Sequence, residues 1–293
     1  MIIDAHIHLD HYEEKDRSYI LSSLTEHQIE ALIAVSFDLA SCVKNRSYWV
    51  EDARVKPAYG FHPEQEIPPS QDVDKLFLWM KQHIHEMVAI GEVGLPYYKK
   101  LESNHQLDYQ PYIKLLERFV QVSVAWNKPI VLHAVYEDAH IACDLLEKHG
   151  ATKAHFHWFK GDEVVVKRMI NNGYFISITP DVLYEDEIQQ LVRMYPLELM
   201  MVETDGPWSF EGPFTNQLTE PKMMKHSIDR IAQLQNRSVK ETARVLYENT
   251  KRFYGILIIV KLWLFWSPNF KFCDPKSGYV IESLDMRPTR MLQ

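Results

Sequence analysis

The sequence predicts an α/β fold in which eight parallel strands alternate with helices and close into a (β/α)8 TIM barrel. Eight short runs rich in β-forming residues lie along the chain, and most of them are continuously apolar. Such runs are typical of parallel strands that are buried on both faces. Helical patterns fill the intervals, and eight alternations of strand and helix favour a closed barrel. A doubly wound open sheet is the alternative.

The predicted elements follow one another up to about residue 255. The strands cover residues 1–5, 31–36, 56–61, 87–92, 129–133, 154–158, 174–178 and 199–203. The helices between them cover residues 14–27, 40–52, 73–85, 104–126, 136–149, 163–172 and 185–195. Two further helices, 219–235 and 238–253, follow the last strand. Ser238 and Glu241 have the spacing of a capping box at the start of the final helix.

We expect one barrel domain over residues 1–255, because no linker interrupts this stretch and its length is close to the ~250 residues typical of the fold. Residues 256–293 have no place in that barrel, and we predict a C-terminal extension of unknown role. Its apolar run, 256–266, is shorter than the ~20 residues of a membrane-spanning helix. We interpret the run as a buried terminal segment, with an interfacial or partner-binding stretch as the alternative.

The composition, 46% hydrophobic and 25% charged residues in a chain of 293, is that of an ordinary globular protein and excludes a disordered or fibrous chain. The net charge of −8, from 32 basic and 40 acidic residues, excludes a globally basic nucleic-acid-binding protein. A phosphate-bearing substrate would therefore need local neutralisation. Three cysteines make no disulfide framework, and the N-terminus lacks a signal-peptide pattern, so we expect a cytoplasmic protein without membrane attachment.

Side chains able to bind a metal ion lie at, or within a few residues of, the ends of six of the eight predicted strands. In a barrel the carboxyl ends of all strands meet at one face, where the active site lies. Residues spread over roughly 200 positions would therefore converge there. Histidines that only pack in a core would not select strand ends so consistently. The candidates are His6, His8, His62, Glu92, His133, His157 and Asp205.

Two of these candidates, His6 and His8, are two residues apart, so on a strand both point to the same side and can hold one cation. Imidazole nitrogens and carboxylates suit Zn²⁺, Mn²⁺ and related ions. Other residues nearby could either support the site or simply pack in the protein. They are His155 on the sixth strand, Glu203 and Thr204 beside Asp205, and Trp208, Phe210 and Phe214 after the eighth strand.

The chain carries six ordered motifs, among them Asp4-Ala-His6-Ile-His8, Gly91-Glu92-Val-Gly94-Leu95 and Glu203-Thr-Asp205. They resemble the motifs of the TatD family of metal-dependent hydrolases. The resemblance runs from residue 1 to about 255, where residues 249–253 are similar to the end of the family's last helix. Residues 94–98, Gly-Leu-Pro-Tyr-Tyr, resemble one subgroup, whose members are mostly hydrolases of unassigned substrate. The motifs are Asp4-Ala-His6-Ile-His8, Gly60-Phe-His62-Pro63, Gly91-Glu92-Val-Gly94-Leu95, Leu132-His133, His157-Trp-Phe159-Lys-Gly161 and Glu203-Thr-Asp205.

The resemblance implies a barrel of the metal-dependent hydrolase type that holds two divalent ions, either Mg²⁺, Mn²⁺ or Zn²⁺. His6 and His8 would hold one ion, and His133 and His157 the other. Glu92 would bridge the two ions, a role that suits the carboxylate at a central strand end. Family members cleave phosphodiesters, chiefly as deoxyribonucleases and several as 3′→5′ exonucleases. The implied substrate is therefore a phosphodiester, with DNA as the foremost candidate.

The same resemblance implies the roles of the remaining candidates. Asp205 would bind the first ion and face the nucleophilic water, and His62 would contact the substrate phosphate. The chemistry agrees, since two cations ~4 Å apart can acidify a water and neutralise charge on a phosphate. A carboxylate such as Asp205 can then accept the proton of that water as a general base. Glu92 and Asp205 are accordingly the catalytic candidates.

Two positions depart from the pattern of many nuclease members. Pro96 stands where they have Asp, and Val135 stands where they have Arg. A missing Arg removes a bidentate phosphate donor, which weakens the expectation of a nucleic-acid substrate. The alternative is an amidohydrolase-type enzyme that cleaves a small-molecule amide or ester. A catalytically silent binding barrel is disfavoured, because every expected ligand is present. A nuclease should carry cations beside the metals, and the candidates are Lys99, Lys100 and Lys160.

Overall fold

The computed structural model describes residues 1–256, which form a (β/α)8 barrel. Eight parallel strands pair in sequence order from β1 to β8, as the sequence predicts. Each predicted strand overlaps an observed one. The strands are β1 (Ile2–Ile7), β2 (Ile29–Ala34), β3 (Val55–Tyr59), β4 (Ala89–Gly94), β5 (Ile130–His133), β6 (Ala154–Phe156), β7 (Phe175–Ile178) and β8 (Met200–Val202).

The helices surround the strands, and most lie where the sequence predicts them. Three regions differ. A short helix, α4, follows β4 and was not predicted, α5 begins six residues later than predicted, and α9 begins five residues later. The helices are α1 (Glu14–Ser23), α2 (Leu39–Glu51), α3 (Ser70–Gln82), α4 (Tyr97–Glu102), α5 (Gln110–Ala125), α6 (Glu137–His149), α7 (Glu163–Asn171), α8 (Asp186–Met194), α9 (Met224–Leu234) and α10 (Val239–Tyr254).

The late starts of α5 and α9 have local causes. Asn104 and His105 have φ values of 51° and 62°, which no right-handed helix accommodates. Pro111 then lies in the first turn of α5, where its missing N–H costs nothing. Pro221 similarly begins a single 3₁₀ turn that precedes α9. The predicted cap of α10 is present, since the Ser238 hydroxyl accepts the backbone N–H of Glu241 at 3.2 Å.

Alternating strand residues divide the core into two layers. In β2, Leu32 and Ala34 belong to the outer layer packed against the helices, whereas Ala31 and Ile33 belong to the layer that fills the barrel interior. Four of the interior residues are alanines, and all of the interior residues are apolar. The interior residues from the strands and the loop after β2 are Ile3, Ala5, Ala31, Ile33, Val35, Ala58, Ala89, Val131, Phe175 and Met201.

Helix α10 closes the amino end of the barrel. Phe253 and Tyr254 pack into the interior layer, and the Tyr254 hydroxyl donates to the carbonyl of Ala5 at 3.0 Å. The predicted extension 256–293 lies outside the described residues except for Ile256, and so does its apolar run. No helix within residues 1–256 is long and apolar enough to cross a membrane.

The first and last strands meet at their carboxyl ends. The Asp205 N–H donates to the His6 carbonyl at 2.9 Å, and the His8 N–H donates to the Gly206 carbonyl at 2.8 Å. These bonds join the backbone on either side of the barrel closure. Closure therefore fixes His6, His8 and Asp205 relative to one another.

Gly94, at the end of β4, is a position where the backbone of β5 leaves no room for a side chain. A Cβ atom at Gly94 would lie 1.9 Å from the carbonyl oxygen of His133. We expect Gly94→Ala to lower the free energy of unfolding by ~2 kcal/mol or more, since the strands must separate. Gly173→Ala is the control, because nothing lies within 4 Å there and only its φ of +69° opposes the substitution, at ~1 kcal/mol. Equal losses of unfolding free energy in the two variants, measured by urea denaturation, would contradict this explanation.

Candidate metal centre

The seven side chains predicted from strand ends all lie at the carboxyl end of the barrel, and all are buried. The most exposed of them, His133, has only 8% of its surface accessible. We call the set the Glu92 cluster, because Glu92 lies within hydrogen-bonding or ion-pair distance of every histidine in it. Its members are His6, His8, His62, Glu92, His133, His157 and Asp205.

The two carboxylate oxygens of Glu92 face different histidines. Oε2 lies 3.1 Å from His6 Nε2 and 3.2 Å from His8 Nε2. Oε1 lies 2.6 Å from His157 Nε2 and 3.0 Å from His133 Nδ1. One oxygen thus faces the histidines of β1 and the loop after it, and the other faces those of β5 and the loop after β6. A single carboxylate therefore joins two separate groups of potential ligands.

Asp205 approaches the same region from the loop after β8. Its Oδ1 lies 3.3 Å from His6 Nε2 and 3.5 Å from His8 Nε2. Ligand atoms within 4.8 Å of one another form three groups around the cluster. They are His6, His8 and Glu92; His6, His157 and Asp205; and His62, Glu92 and His133.

Several polar atoms of the Glu92 cluster are buried without a hydrogen-bond partner. They include both ring nitrogens of His6, Oε2 of Glu92 and Oδ1 of Asp205. Buried polar atoms are nearly always paired in folded proteins, so a convergent set without partners needs an explanation. Nitrogen and carboxylate oxygen atoms that point at one another at these distances fit divalent cations. The residues present therefore suit the metal ions that the sequence implies.

The protonation states of several cluster residues suit cation binding. Burial would raise the pKa of Glu92, but the surrounding imidazoles outweigh burial and hold that pKa well below its usual range. Burial lowers the pKa of His157 to about 4, so its ring is neutral at pH 7. Burial lowers the pKa of His133 as well, but Glu64 and Glu92 outweigh burial and raise it to about 9. A cation bound at His133 must therefore displace a proton.

The surroundings of His62 fix its tautomer. Its Nδ1 accepts the backbone N–H of Glu64 at 3.2 Å, and burial lowers its pKa, so the ring is neutral and the proton lies on Nε2. That nitrogen points into the cluster, 3.4 Å from Glu92 Oε1. His62 therefore offers a donor rather than a lone pair, which agrees with substrate contact better than with metal ligation.

Asp4 stabilises the candidate metal centre through hydrogen bonds to its backbone and was not predicted as a functional residue. Its carboxylate accepts the backbone N–H and the hydroxyl of Thr204, at 3.0 Å and 2.6 Å, and the backbone N–H of His6 at 3.2 Å. Asp4 thus ties β1 to the end of β8 beside two candidate ligands. The sequence left open whether Thr204 supports the site or only packs in the protein. Its hydrogen bonds to Asp4 show that it supports the site.

Glu64 is a further residue that the sequence did not reveal. Its carboxylate accepts Nε2–H of His133 at 3.1 Å and the backbone N–H groups of Tyr98 and Lys99, at 2.9 Å and 2.7 Å. The contact leaves Nδ1 of His133 directed at Glu92. The only sequence signal is its position two residues after His62, in the loop after β3.

Glu203 and His155 form a buried polar chain beneath the cluster. Glu203 accepts the Ser177 hydroxyl at 2.5 Å and the backbone N–H of Trp158 at 2.7 Å. His155 bridges Ser177 and Tyr254, at 2.5 Å and 2.8 Å. Both residues therefore support neighbouring loops and strands, and the structure brings neither into the ring of side chains around Glu92.

A cavity of about 570 Å³ opens above the cluster. Phe37, Tyr98, Trp158 and Trp208 contribute aromatic rings to its lining. Trp208 thus lines the pocket. Phe210 and Phe214 instead pack with Met223 in a small buried group behind it.

The cations expected beside a nuclease site are scarce around this cavity. Lys99 is the one lysine or arginine among the lining residues within 1–256, and its Nζ lies 2.8 Å from Glu66. Lys100 pairs with Glu137 at 3.2 Å, and Lys160 is not part of the lining.

Comparison with known proteins identifies the family. Residues 3–255 match the family described as TatD related DNase. The chain belongs to the TatD family. An "uncharacterized metal-dependent hydrolase" of Haemophilus influenzae is 38% identical over 260 residues, covering 87% of this chain and 100% of that protein. Human "deoxyribonuclease TATDN3" is 27% identical over 266 residues, covering 86% and 94%.

A solved structure confirms the fold. The TatD homologue YJJV of Escherichia coli superposes with a TM-score of 0.76 at 19% identity, covering 87% of this chain and 98% of that one. The sequence-based prediction of a TatD-type barrel is therefore confirmed. As a TatD-family member the chain is a metal-dependent hydrolase, and the Glu92 cluster contains residue groups able to hold divalent ions.

Divalent ions should stabilise the folded protein. We expect a chelator to lower the Tm, and added Mn²⁺ or Zn²⁺ at about 100 times its Kd to restore ~2.7 kcal/mol of stability. His6→Ala should lose most of this gain, because His6 belongs to two of the three ligand groups. The exposed His226→Ala on α9 is the matched control. Calorimetric scans with equal metal-induced shifts in both variants would contradict the assignment.

Proposed function

We propose that the Glu92 cluster binds two divalent ions. Histidines 6 and 8 and Asp205 would hold one ion, histidines 133 and 157 the other, and Glu92 would lie between them. The division of the Glu92 oxygens between two histidine groups is the single observation that carries this proposal. Glu64 and Asp4 would orient the ligands, as outer carboxylates commonly do at metal sites.

We further propose that the enzyme hydrolyses phosphodiesters, with DNA as the polymeric substrate and attack from the 3′ end. The family assignment and the printed name of the human relative support this reaction class. Buried free thiols at Cys42 and Cys143 support a reducing, cytoplasmic location.

Different residues of this chain would have different roles in hydrolysis. The two ions, when bound, supply positive charge that acidifies a water and offsets the charge of the phosphate. Asp205 would accept the proton of the attacking water, since its carboxylate lies at the edge of the cluster and lines the cavity. His62 would donate Nε2–H to a phosphate oxygen. Burial of the cluster excludes bulk water and strengthens each of these interactions.

The second candidate is cleavage of a small-molecule amide or ester. The scarcity of cations around the cavity favours it, as do Val135 in the lining and Pro96 at the start of α4. The experiment that separates the candidates uses purified protein, single-stranded DNA, bis(p-nitrophenyl) phosphate and a panel of amides and esters. Each is tested with Mg²⁺, Mn²⁺ and Zn²⁺. Fast amide hydrolysis without cleavage of any phosphodiester would overturn the proposal.

Removing the proposed general base should abolish most activity while the fold is kept. We expect Asp205→Asn to lower kcat/KM by about 10²–10⁴-fold, because the amide cannot accept the proton. Glu92→Gln should lower kcat/KM at least as much, because it removes the negative charge that lies between the two ligand groups. Asp229→Asn, on the exposed face of α9, is the control and should retain full activity. Activity that survives in both site variants would show that the site is wrongly assigned.

A further inference from the structure

Trp158 is held unusually firmly for a residue that lines an open cavity. Its backbone N–H donates to the buried Glu203 at 2.7 Å, and its indole Nε1–H donates to the buried Asp181 at 2.6 Å. Asp181 in turn accepts the Thr179 hydroxyl. Two buried carboxylates therefore fix one tryptophan from both the backbone and the ring.

The backbone of Trp158 also has a conformation that large residues rarely adopt. Its φ is +36°, in a region that costs of order 1–3 kcal/mol for a residue with a side chain. Such a conformation persists only when the surroundings impose it. Here the bond from the backbone N–H to Glu203 restrains the backbone, and the bond from the indole to Asp181 restrains the ring. The ring also packs near Phe210, 5.7 Å away between centroids. The ring is thus fixed next to His157, at the edge of the Glu92 cluster.

The charges around the cavity do not favour recognition of the substrate through many phosphates. Lys99 is paired with Glu66, and the cavity lining also holds the acidic Glu64 and Glu102. A groove that follows a polyanionic backbone carries several free lysines or arginines. Stacking of a base on an aromatic ring needs no net charge, and every nucleobase has a face that can stack.

We propose that Trp158 is the specificity-determining platform on which a nucleobase beside the scissile phosphodiester stacks. The substrate class is then a phosphodiester flanked by a base and recognised one nucleotide at a time. This inference rests on the proposed phosphodiesterase function. Tyr98 and Trp208 line the same cavity, but within residues 1–256 neither side chain makes a hydrogen bond like the one that fixes the indole of Trp158. Asp181 is the positioning residue that holds the platform.

The test compares two substrates that differ only in the base. Thymidylyl-thymidine and its analogue lacking one base share the phosphodiester, both sugars and the charge. We expect the wild-type enzyme to prefer the intact dinucleotide by about 10- to 100-fold in kcat/KM. Trp158→Leu should bring this ratio close to one, because it removes the ring on which the base would stack. Asp181→Ala should lower the ratio part of the way, mainly through a higher KM.

The matched control is Trp126→Leu at the end of α5, a half-buried tryptophan outside the cavity lining, which should keep the wild-type ratio. Calorimetric binding of both dinucleotides to Asp205→Asn, with and without Trp158→Leu, gives a readout that needs no turnover. Equal preference for the base in the wild type and in Trp158→Leu, by either measurement, would overturn the inference. Failure to cleave either dinucleotide with any metal would instead count against the phosphodiesterase function, and the binding comparison would still decide the role of Trp158.

Discussion

Glu92 places a carboxylate at the centre of the barrel mouth with no accessible surface, and the charge of this group constrains everything around it. A buried charge is tolerated only when it is paired. Here five imidazoles surround it, and no lysine or arginine in the described chain lies within ion-pair distance of it. Imidazoles can also coordinate cations, so the arrangement that stabilises Glu92 is equally a set of ligands.

The barrel explains how residues so distant in sequence meet at one carboxylate. Parallel pairing aligns the carboxyl ends of the strands, and apolar residues fill the barrel interior below the site. The remaining gap between β1 and β8 is closed by backbone bonds at His6 and Asp205 and by Asp4, which accepts from both chain segments. The same hydrogen bonds therefore close the barrel and position two candidate ligands. A substitution that weakens these hydrogen bonds would therefore also displace the candidate ligands.

The strands and the seven cluster residues could be predicted from the sequence because both depend on a local signal. Most of the strands are continuous apolar runs, and each candidate lies at the end of a predicted strand or within a few residues of it. The start of α5 could not be predicted in the same way, because the left-handed conformations of Asn104 and His105 depend on their surroundings. Glu64 and Asp181 escaped prediction for a related reason. Their roles lie in hydrogen bonds to His133 and Trp158, and only the folded loops bring these partners together.

The positions of Pro96 and Val135 in the folded loops explain what these two residues do to phosphate binding. Val135 is buried in the cavity lining, where it offers neither a charge nor a donor to a phosphate. Pro96 precedes α4, whose first backbone N–H groups are already bound by Glu64 rather than free for an anion. Neither Val135 nor the N–H groups of Tyr98 and Lys99 therefore offer a phosphate a charge or a free donor. Under the proposed function, the metal ions and His62 would neutralise the phosphate charge. Discrimination would fall to the aromatic rings, of which Trp158 is the one that buried carboxylates hold in place. The charged groups of the site would then serve the proposed reaction, and the apolar surface above them would serve the choice of substrate.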